Sequence, residues 1–309
     1  MSGRRDVGDV RVTSIGLIGA GAVGQTLAPL LVASSWCDSL LVASGSGRTA
    51  RGLVTDLEDM CQVTGSPVRV SQCTPDRMLT CDAIVVCARA VFTNTARRDV
   101  RMAGLTANAP VISALARQLA GYTGIVAMVT NPVDALSRLF ADVSGCERVY
   151  GVGSNTDTAR YRIVLARHLA VPVEAVAGHV IGEHGDHAVI CASSTTVHDR
   201  PAEFPLQEIR EDLAARPRRI NGGIGRTRCG PAGATIAALE HTLGITDGVI
   251  ELSARWHADS WLGIPLRFQG GHPTVCLPPL SPAEASSLDA ADTKIRQAYR
   301  LVENSGETA

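Results

Sequence analysis

A histidine and an Asp-x-x-Arg pair are the residues of this chain best suited to chemistry. His184 lies in the segment Gly182-Glu183-His184-Gly185-Asp186, and Asp157 and Arg160 lie upstream, three residues apart. On a helix that spacing places both side chains on one face. An aspartate beside a histidine fixes its tautomer and favours its protonated form, which would let His184 donate a proton near neutral pH. Arg160 can bind a carboxylate through two parallel hydrogen bonds. The three residues indicate proton transfer on a small acid.

Each of these residues also has a purely structural interpretation. An Asp-x-x-Arg pair is commonly an ion pair on a helix surface, and a single histidine is more often structural than catalytic. Glu183, His184, Asp186 and His187 have the composition of a metal site. Their close packing on a tight glycine loop cannot direct all four at one ion, so no metal is predicted.

A glycine-rich turn near the N-terminus indicates a nucleotide site. The segment Gly19-Ala20-Gly21-Ala22-Val23-Gly24 follows the β-branched run 12–18 and precedes the helical composition of 25–34. In such a G-x-G-x-x-G turn the first glycine permits the tight turn, the second lets the backbone approach a pyrophosphate, and the third lets helix and strand pack closely. The alternative is an ordinary strand-helix turn. The glycine segment lies between a predicted strand and a predicted helix, and this position favours dinucleotide binding.

The residues after the second predicted strand bear on the choice of cofactor. An acidic residue about 20 positions beyond the glycines would bind the ribose hydroxyls of NAD. Here that place falls on Ala43 and Ser44, and Ser46 and Arg48 follow. This segment has no carboxylate that could repel a 2′-phosphate, so we predict NADP rather than NAD. In the alternative, Ser44 bonds the ribose and NAD is used.

Short apolar runs alternate with helical segments through the first half of the chain. The predicted strands are 12–18, 40–43, 83–88 and 125–130, and the predicted helices between them include 51–60 and 105–119. This alternation implies an α/β domain over residues 1–150, with a parallel sheet covered on both faces.

The pattern changes near Gly151, which predicts a second domain over residues 151–309 of mixed α+β character. A helix is expected over 156–169, with Asn155 or Ser154 as its N-cap. Strands 176–181 and 188–193 should flank the loop that carries His184, and helices are expected over 233–243 and 281–303.

Four motifs in order resemble the lactate/malate dehydrogenase family. They are Gly19-Ala20-Gly21-Ala22-Val23-Gly24, Thr130-Asn131-Pro132-Val133-Asp134, Asn155-Thr156-Asp157-Thr158-Ala159-Arg160 and Gly182-Glu183-His184-Gly185-Asp186. The resemblance implies a Rossmann doubly wound parallel sheet followed by a catalytic domain, and hydride transfer between NAD(P)H and the carbonyl of a 2-oxo acid. It also implies assembly as a dimer or tetramer.

The resemblance assigns roles to individual residues. His184 would be the proton donor or acceptor, Asp157 its partner and Arg160 the carboxylate clamp. Asn131 would contact the reacting oxygen and contribute to the cofactor site.

An arginine on a mobile loop, here within 89–103, would polarise the carbonyl once the loop closes. Arg97, Arg98 and Arg101 are available; counting back from Asn108 favours Arg101, with Arg98 the second choice.

Departures from the family pattern leave the substrate open. Thr95 takes the position that would select the substrate tail, Arg89 replaces a strand-end glycine, and Arg228 lies in a second specificity segment. Arg89 either reaches the pyrophosphate or points outward, and Arg228 either meets a distal anion or is solvated. We favour an anionic or dicarboxylic 2-oxo acid such as oxaloacetate, with a lactate-type or specialised substrate as the alternative.

An NAD-dependent glycosidase-like hydrolase and a non-catalytic nucleotide-binding protein are alternatives of another class.

Composition narrows the class of partner and compartment. The formal net charge is −1 and the pI is about 6.7, which predicts no attraction to nucleic acid or to an anionic membrane. No apolar run is long enough to span a bilayer. The nine cysteines are scattered and odd in number, as in a reduced, cytoplasmic protein.

Overall fold

The N-terminal half folds around a parallel sheet. The structure is a computed structural model that describes residues 13–93, 99–257 and 259–303. Its first six strands are β1 (Ser14–Ile18), β2 (Ser39–Ala43), β3 (Arg69–Gln72), β4 (Ala83–Val86), β5 (Ile125–Met128) and β6 (Val149–Gly151). Its first four helices are α1 (Ala22–Ala33), α2 (Gly47–Thr64), α3 (Leu105–Gln118) and α4 (Val133–Ser144). The strands pair in the order β3-β2-β1-β4-β5-β6, all parallel, which is the doubly wound Rossmann arrangement.

Burial explains why the central strands are continuously apolar. Every residue of β4 (Ala-Ile-Val-Val) and β5 (Ile-Val-Ala-Met) is buried. Helices cover both faces of the sheet, so no face of these strands meets water. The predicted α/β Rossmann fold is confirmed, and the carboxyl ends of β1, β4 and β5 meet at one edge.

The second half adds four helices and eight strands among the described residues. The helices are α5 (Ser154–Leu169), α6 (Leu206–Ile224), α7 (Cys229–Thr242) and α8 (Pro282–Arg300). The strands are β7 (Val176–Ala177), β8 (Val180–Gly182), β9 (Ala188–Ile190), β10 (Thr196–Val197), β11 (Arg200–Pro201), β12 (Gly248–His257), β13 (Ser260–Gln269) and β14 (His272–Val275). β12 pairs antiparallel with β6, and the sheet continues through β13 to β8 and β9. The antiparallel strands and helices give the mixed α+β character that was predicted.

Two local predictions about the second half are wrong. The N-cap of α5 is Gly153, which makes no side-chain capping bond, rather than Asn155 or Ser154. The predicted strand over 176–181 is two short strands that join different sheets, because β7 pairs with β10 whereas β8 pairs with β9 and β13. Over the described ranges, the structure contains no helix that is both long and apolar enough to cross a membrane.

Candidate active site

The centre of the site is a short hydrogen bond between a histidine and an aspartate. Asp157 lies in the first turn of α5, and His184 lies in the loop between β8 and β9. The His184 Nδ1 atom is 2.5 Å from Asp157 Oδ2, and His184 is only 8% exposed. Because Asp157 occupies Nδ1, the Nε2 atom is the ring nitrogen that can face a substrate.

The backbone around His184 fixes the position of its ring. The His184 backbone N–H donates to Asp134 Oδ2 on α4 at 2.9 Å, and Asp134 is fully enclosed. Burial raises the pKa of the Asp134 carboxyl to about 7. A Cβ atom on Gly153 would lie 2.5 Å from His184 Cγ, so only glycine fits beside the ring. Asp134 was not predicted as a site residue, although it ends the Thr-Asn-Pro-Val-Asp motif.

Two arginines share the carboxylate of Asp157. Arg160 Nη1 lies 3.3 Å from Asp157 Oδ1, and Arg101 Nη2 lies 3.8 Å from the same oxygen. Their side chains are 12% and 27% exposed. Asp157 carries one negative charge against two guanidinium groups, so this cluster has an excess of positive charge even when His184 is neutral. Such a partly desolvated cluster attracts a small anion.

The pKa values of Asp157 and His184 are both lowered, but for different reasons. Although burial acts to raise the pKa of Asp157, His184, Arg101 and Arg160 lower it to about 2. Burial, followed by the charge of Arg101, lowers the pKa of His184 from 6.5. Asp157 acts to raise the pKa of His184, as expected, but burial and Arg101 outweigh it. Without a bound anion, His184 is therefore biased toward its neutral form.

A third arginine, which the sequence analysis did not single out, lies near this cluster. Burial lowers the pKa of Arg160, and the charges of Arg101 and Arg216 lower it further. Arg216 lies on α6, which packs against α5. Its Nε atom is buried and has no hydrogen-bond partner within the described part of the chain. Because α6 carries several arginines, the sequence does not show that Arg216 in particular lies near the cluster.

Asn131 lies at the carboxyl end of β5 and has an unused buried acceptor. Its backbone oxygen accepts a 2.8 Å hydrogen bond from Asn108 Nδ2, and Asn108 Oδ1 accepts from the Ala90 backbone N–H at 2.8 Å. The Asn131 Oδ1 atom is buried without a partner in the ranges that the structure describes. An amide donor of a bound ligand would satisfy it.

The glycine turn packs too tightly for any side chain at two of its positions. Gly19 has φ of +113°, and its N–H donates to Ala43 O at 2.8 Å. A Cβ atom on Gly24 would lie 2.0 Å from Gly19 O, whereas nothing lies within 4 Å of a Cβ on Gly21. Gly21 is the N-cap of α1, and the first turn of α1 has no acidic residue. Open space before a helix N-terminus fits a pyrophosphate.

Comparison with known proteins identifies the family. The family model for the NAD-binding domain of lactate/malate dehydrogenase matches residues 13–151. An L-lactate dehydrogenase of Lactobacillus delbrueckii subsp. bulgaricus is 31% identical over 257 residues, which cover 79% of this chain and 81% of that protein. A malate dehydrogenase of Anaplasma marginale is 29% identical over 310 residues, which cover 93% of this chain and 96% of that protein. The chain belongs to the lactate/malate dehydrogenase family.

A solved structure agrees in fold. A lactate dehydrogenase from Cryptosporidium parvum, complexed with lactic acid and nicotinamide adenine dinucleotide, has a TM-score of 0.86 over 95% of this chain and 99% of that chain, at 21% identity. The predicted family and enzyme class are confirmed. The protein is an oxidoreductase of the malate/lactate dehydrogenase type that acts on the CH–OH group of a 2-hydroxy acid, and it carries an NAD-binding domain.

The residues predicted for the ribose pocket of this dehydrogenase follow β2. Ser44 comes directly after Ala43, whose carbonyl binds the glycine turn. The Ser46 side chain caps α2 by accepting from Thr49 N, so this hydroxyl is already used. Arg48 is exposed in the first turn of α2, which contains no acidic residue.

Arg228 and Arg89, two further residues singled out in the sequence, are both exposed but have different neighbours. Arg228 is exposed at the N-cap of α7. Two residues on, a Cβ atom on Gly230 would lie 3.9 Å from Thr156 Cγ2, so α7 begins beside the first turn of α5. Arg89 is exposed, with its guanidinium 4.9 Å from the centre of the Phe92 ring.

Thr95, Arg97 and Arg98 lie outside the described residues. Among the residues that are described, no group of three or more His, Cys, Asp or Glu side chains could hold a metal ion.

Proposed function

We propose that this dehydrogenase interconverts an anionic 2-oxo acid, dicarboxylic in the manner of oxaloacetate, and its 2-hydroxy acid, with NADP favoured over NAD. The observation that carries the proposal is the cluster in which His184, Arg160 and Arg101 converge on Asp157. A lactate-type substrate is the alternative, because relatives of both names match the chain.

Each residue of the cluster has a distinct role in the proposed reaction. Arg160 binds the substrate carboxylate and so fixes its orientation. His184 Nε2 donates a proton to the carbonyl oxygen, and Arg101 stabilises the negative charge that develops there. A nicotinamide dinucleotide held by the Gly19–Gly24 turn would supply a hydride, two electrons and one proton, for the carbonyl carbon, and the proton from His184 would complete the alcohol. Asn131 contributes a polar contact beside the reacting group.

Substrate binding and proton uptake are coupled in this arrangement. The positive charge of Arg101 lowers the pKa of His184 in the free protein. A bound carboxylate offsets the arginine charges, so it raises the pKa of His184 and favours the imidazolium that the reduction needs. The oxidation direction uses the neutral imidazole as the proton acceptor.

The preference for an anionic tail rests on charges that the first carboxylate does not use. Arg216 has a buried Nε without a described hydrogen-bond partner, and its charge acts on Arg160. Arg228 lies at the start of α7, beside the first turn of α5. A second carboxylate on the substrate would satisfy these guanidinium groups.

The preference for NADP rests on the segment 43–48, which contains no acidic residue. The N-terminus of α2, Arg48 and the Ser44 hydroxyl all favour a negative charge, and the first turn of α2 offers no carboxylate to repel it. The family match supports use of a nicotinamide dinucleotide and leaves the 2′-phosphate to experiment.

Initial rates with oxaloacetate, pyruvate and a longer 2-oxo monocarboxylic acid, each with NADPH and NADH, test this proposal. We expect the highest kcat/KM for oxaloacetate with NADPH. Arg216→Met should lower kcat/KM for oxaloacetate by roughly tenfold to a hundredfold, the worth of one charged hydrogen bond. The same variant should leave kcat/KM for pyruvate within about twofold of the wild-type value. Arg219→Met is the matched control, because Arg219 is an exposed arginine on the same helix. Turnover of pyruvate alone would contradict the anionic tail, and a strong preference for NADH would contradict the cofactor assignment.

We also propose a reducing, cytoplasmic setting and assembly into a dimer or tetramer. All nine cysteines are free, which supports the first. The second rests on the family resemblance, and sedimentation velocity would test it.

A further inference from the structure

The chain has a single lysine, and that lysine lies next to the proposed active site. Lys294 is on α8, and its Nζ atom lies 2.8 Å from Glu183 Oε1, 2.9 Å from Glu183 Oε2 and 2.8 Å from Asp99 Oδ2. An ammonium group has three N–H donors, so these three oxygens account for all of them. The planar fork of an arginine, the usual cation of this chain, cannot converge its donors in this way.

One of the two carboxylates belongs to the catalytic loop. Glu183 directly precedes His184 and is only 3% exposed. Its Oε2 atom also accepts a hydrogen bond from the His187 backbone N–H at 2.9 Å. A buried carboxylate without a cation nearby is strongly unfavourable, so the ammonium of Lys294 offsets the negative charge of Glu183.

The other carboxylate belongs to the turn that carries Arg101, which we define as residues 99–104. Asp99 has a left-handed φ of 47°, which is a strained conformation for a residue other than glycine. Its backbone N–H donates to Asp186 Oδ2 at 2.9 Å, and its carbonyl accepts from Ala103 N at 3.2 Å. Asp99 is thus held by Lys294 and by the catalytic loop, and it begins the turn that leads to Arg101.

We propose that Lys294 is a positioning residue for the reaction: by joining Asp99 to Glu183, it holds the Arg101 guanidinium beside Asp157 and His184. The inference rests on the proposed function for its kinetic consequence. Lys294 does not touch the substrate in this account, and it acts only through the two carboxylates. Although burial acts to lower the pKa of Lys294, the hydrogen bonds to Asp99 and Glu183 raise it above its usual value.

Two variants and one matched control test this role. Asp99→Asn removes the charge that links the Arg101 turn but keeps the buried Glu183–Lys294 pair, so the fold should be unaffected. Asparagine also tolerates a left-handed φ. Lys294→Met removes the ammonium and leaves Glu183 uncompensated. Arg296→Met is the control, because Arg296 is an exposed cation on the same helix and pairs with Asp292 rather than with Asp99 or Glu183.

We expect Asp99→Asn and Lys294→Met each to lower kcat for the 2-oxo acid by roughly tenfold to a hundredfold, the usual effect of a small displacement of a catalytic group. The KM for the acid should change less, because Arg160 and not Arg101 binds its carboxylate. The Kd for NADPH, measured by fluorescence, and the Tm of Asp99→Asn should match the wild type. A kcat for Asp99→Asn within twofold of the wild-type and Arg296→Met values would overturn the proposal.

A second readout does not depend on turnover. Because there is one lysine, protein labelled with 15N-lysine gives one side-chain Nζ resonance, which is observable when hydrogen bonds slow proton exchange. That signal should be present in the wild type and in Arg296→Met, and it should shift or broaden in Asp99→Asn. An unchanged signal in Asp99→Asn would show that the link to Asp99 does not form. Wild-type protein that shows the link but reduces no 2-oxo acid would refute the proposed function and, with it, the kinetic role of Lys294.

Discussion

The dinucleotide-binding turn and the catalytic cluster are built in opposite ways. The turn is one continuous segment, Gly19 to Gly24, whose shape is set by backbone packing between neighbouring strands. The catalytic cluster joins Arg101, Asp157 and His184, which come from three distant segments and meet through ion pairs and a hydrogen bond. The first is local geometry and the second is long-range electrostatics, so substitutions should affect binding in one region and proton transfer in the other.

The largest expected effect separates the two regions completely. His184→Asn removes the proton donor, so kcat for the 2-oxo acid should fall by roughly 10² to 10⁴, the usual contribution of general acid-base catalysis. The Kd for NADPH should stay the same, because the glycine turn is untouched. His187→Asn is the matched control: His187 is exposed on the same loop and contributes its backbone N–H to Glu183. Equal turnover by the two variants would remove His184 from the mechanism.

The next effect concerns pH. Reduction needs protonated His184, and the pKa of His184 in the free protein lies below 6.5, lowered by burial and by Arg101. We therefore expect kcat/KM for reduction to decline already as pH rises through values below 6.5, and kcat/KM for oxidation to rise over the same range. Asp157→Asn removes the charge that acts to raise this pKa, so the decline should move to still lower pH, with about a hundredfold loss of kcat/KM for reduction at pH 7. A pH profile that is the same in Asp157→Asn and wild type would contradict the coupling.

The same contrast explains what could be predicted from sequence. Gly19 and Gly24 must be glycine for steric reasons, and Gly21 leaves open space before α1, so the glycine pattern indicates a nucleotide-binding turn. The apolar runs of β4 and β5 indicate a sheet that is covered on both faces. Asp157 and Arg160 could be paired because helical spacing is a local rule. Local patterns therefore predicted the Rossmann half and half of the catalytic cluster.

Other parts depend on contacts between distant segments, which no local pattern contains. Asp134 and Lys294 act through atoms 50 and 111 residues away along the chain. The β12–β13 hairpin was not predicted, since Pro265 interrupts the pattern of its second strand. The net pKa of His184 follows from burial and from Arg101, neither of which can be read from the Asp157 spacing.

The smallest expected effect comes from alanine substitutions in the glycine turn, where Gly24→Ala and Gly21→Ala form a matched pair. Gly24→Ala places a Cβ atom 2.0 Å from Gly19 O, so the turn must shift, at a cost of about 1–3 kcal/mol in the free energy of unfolding. Gly21→Ala meets no atom within 4 Å, so its stability should equal that of the wild type or slightly exceed it. Its methyl group instead occupies the approach to α1, where the pyrophosphate is expected.

In thermal unfolding without cofactor, only Gly24→Ala should therefore show a lower Tm than the wild type. In titration with NADPH, both variants should show a higher Kd. If Gly21→Ala binds NADPH as tightly as the wild type, the pyrophosphate does not lie over this turn. The two variants thus separate the role of the glycines in folding from their role in binding, a distinction that the His184 and Asp157 variants cannot make.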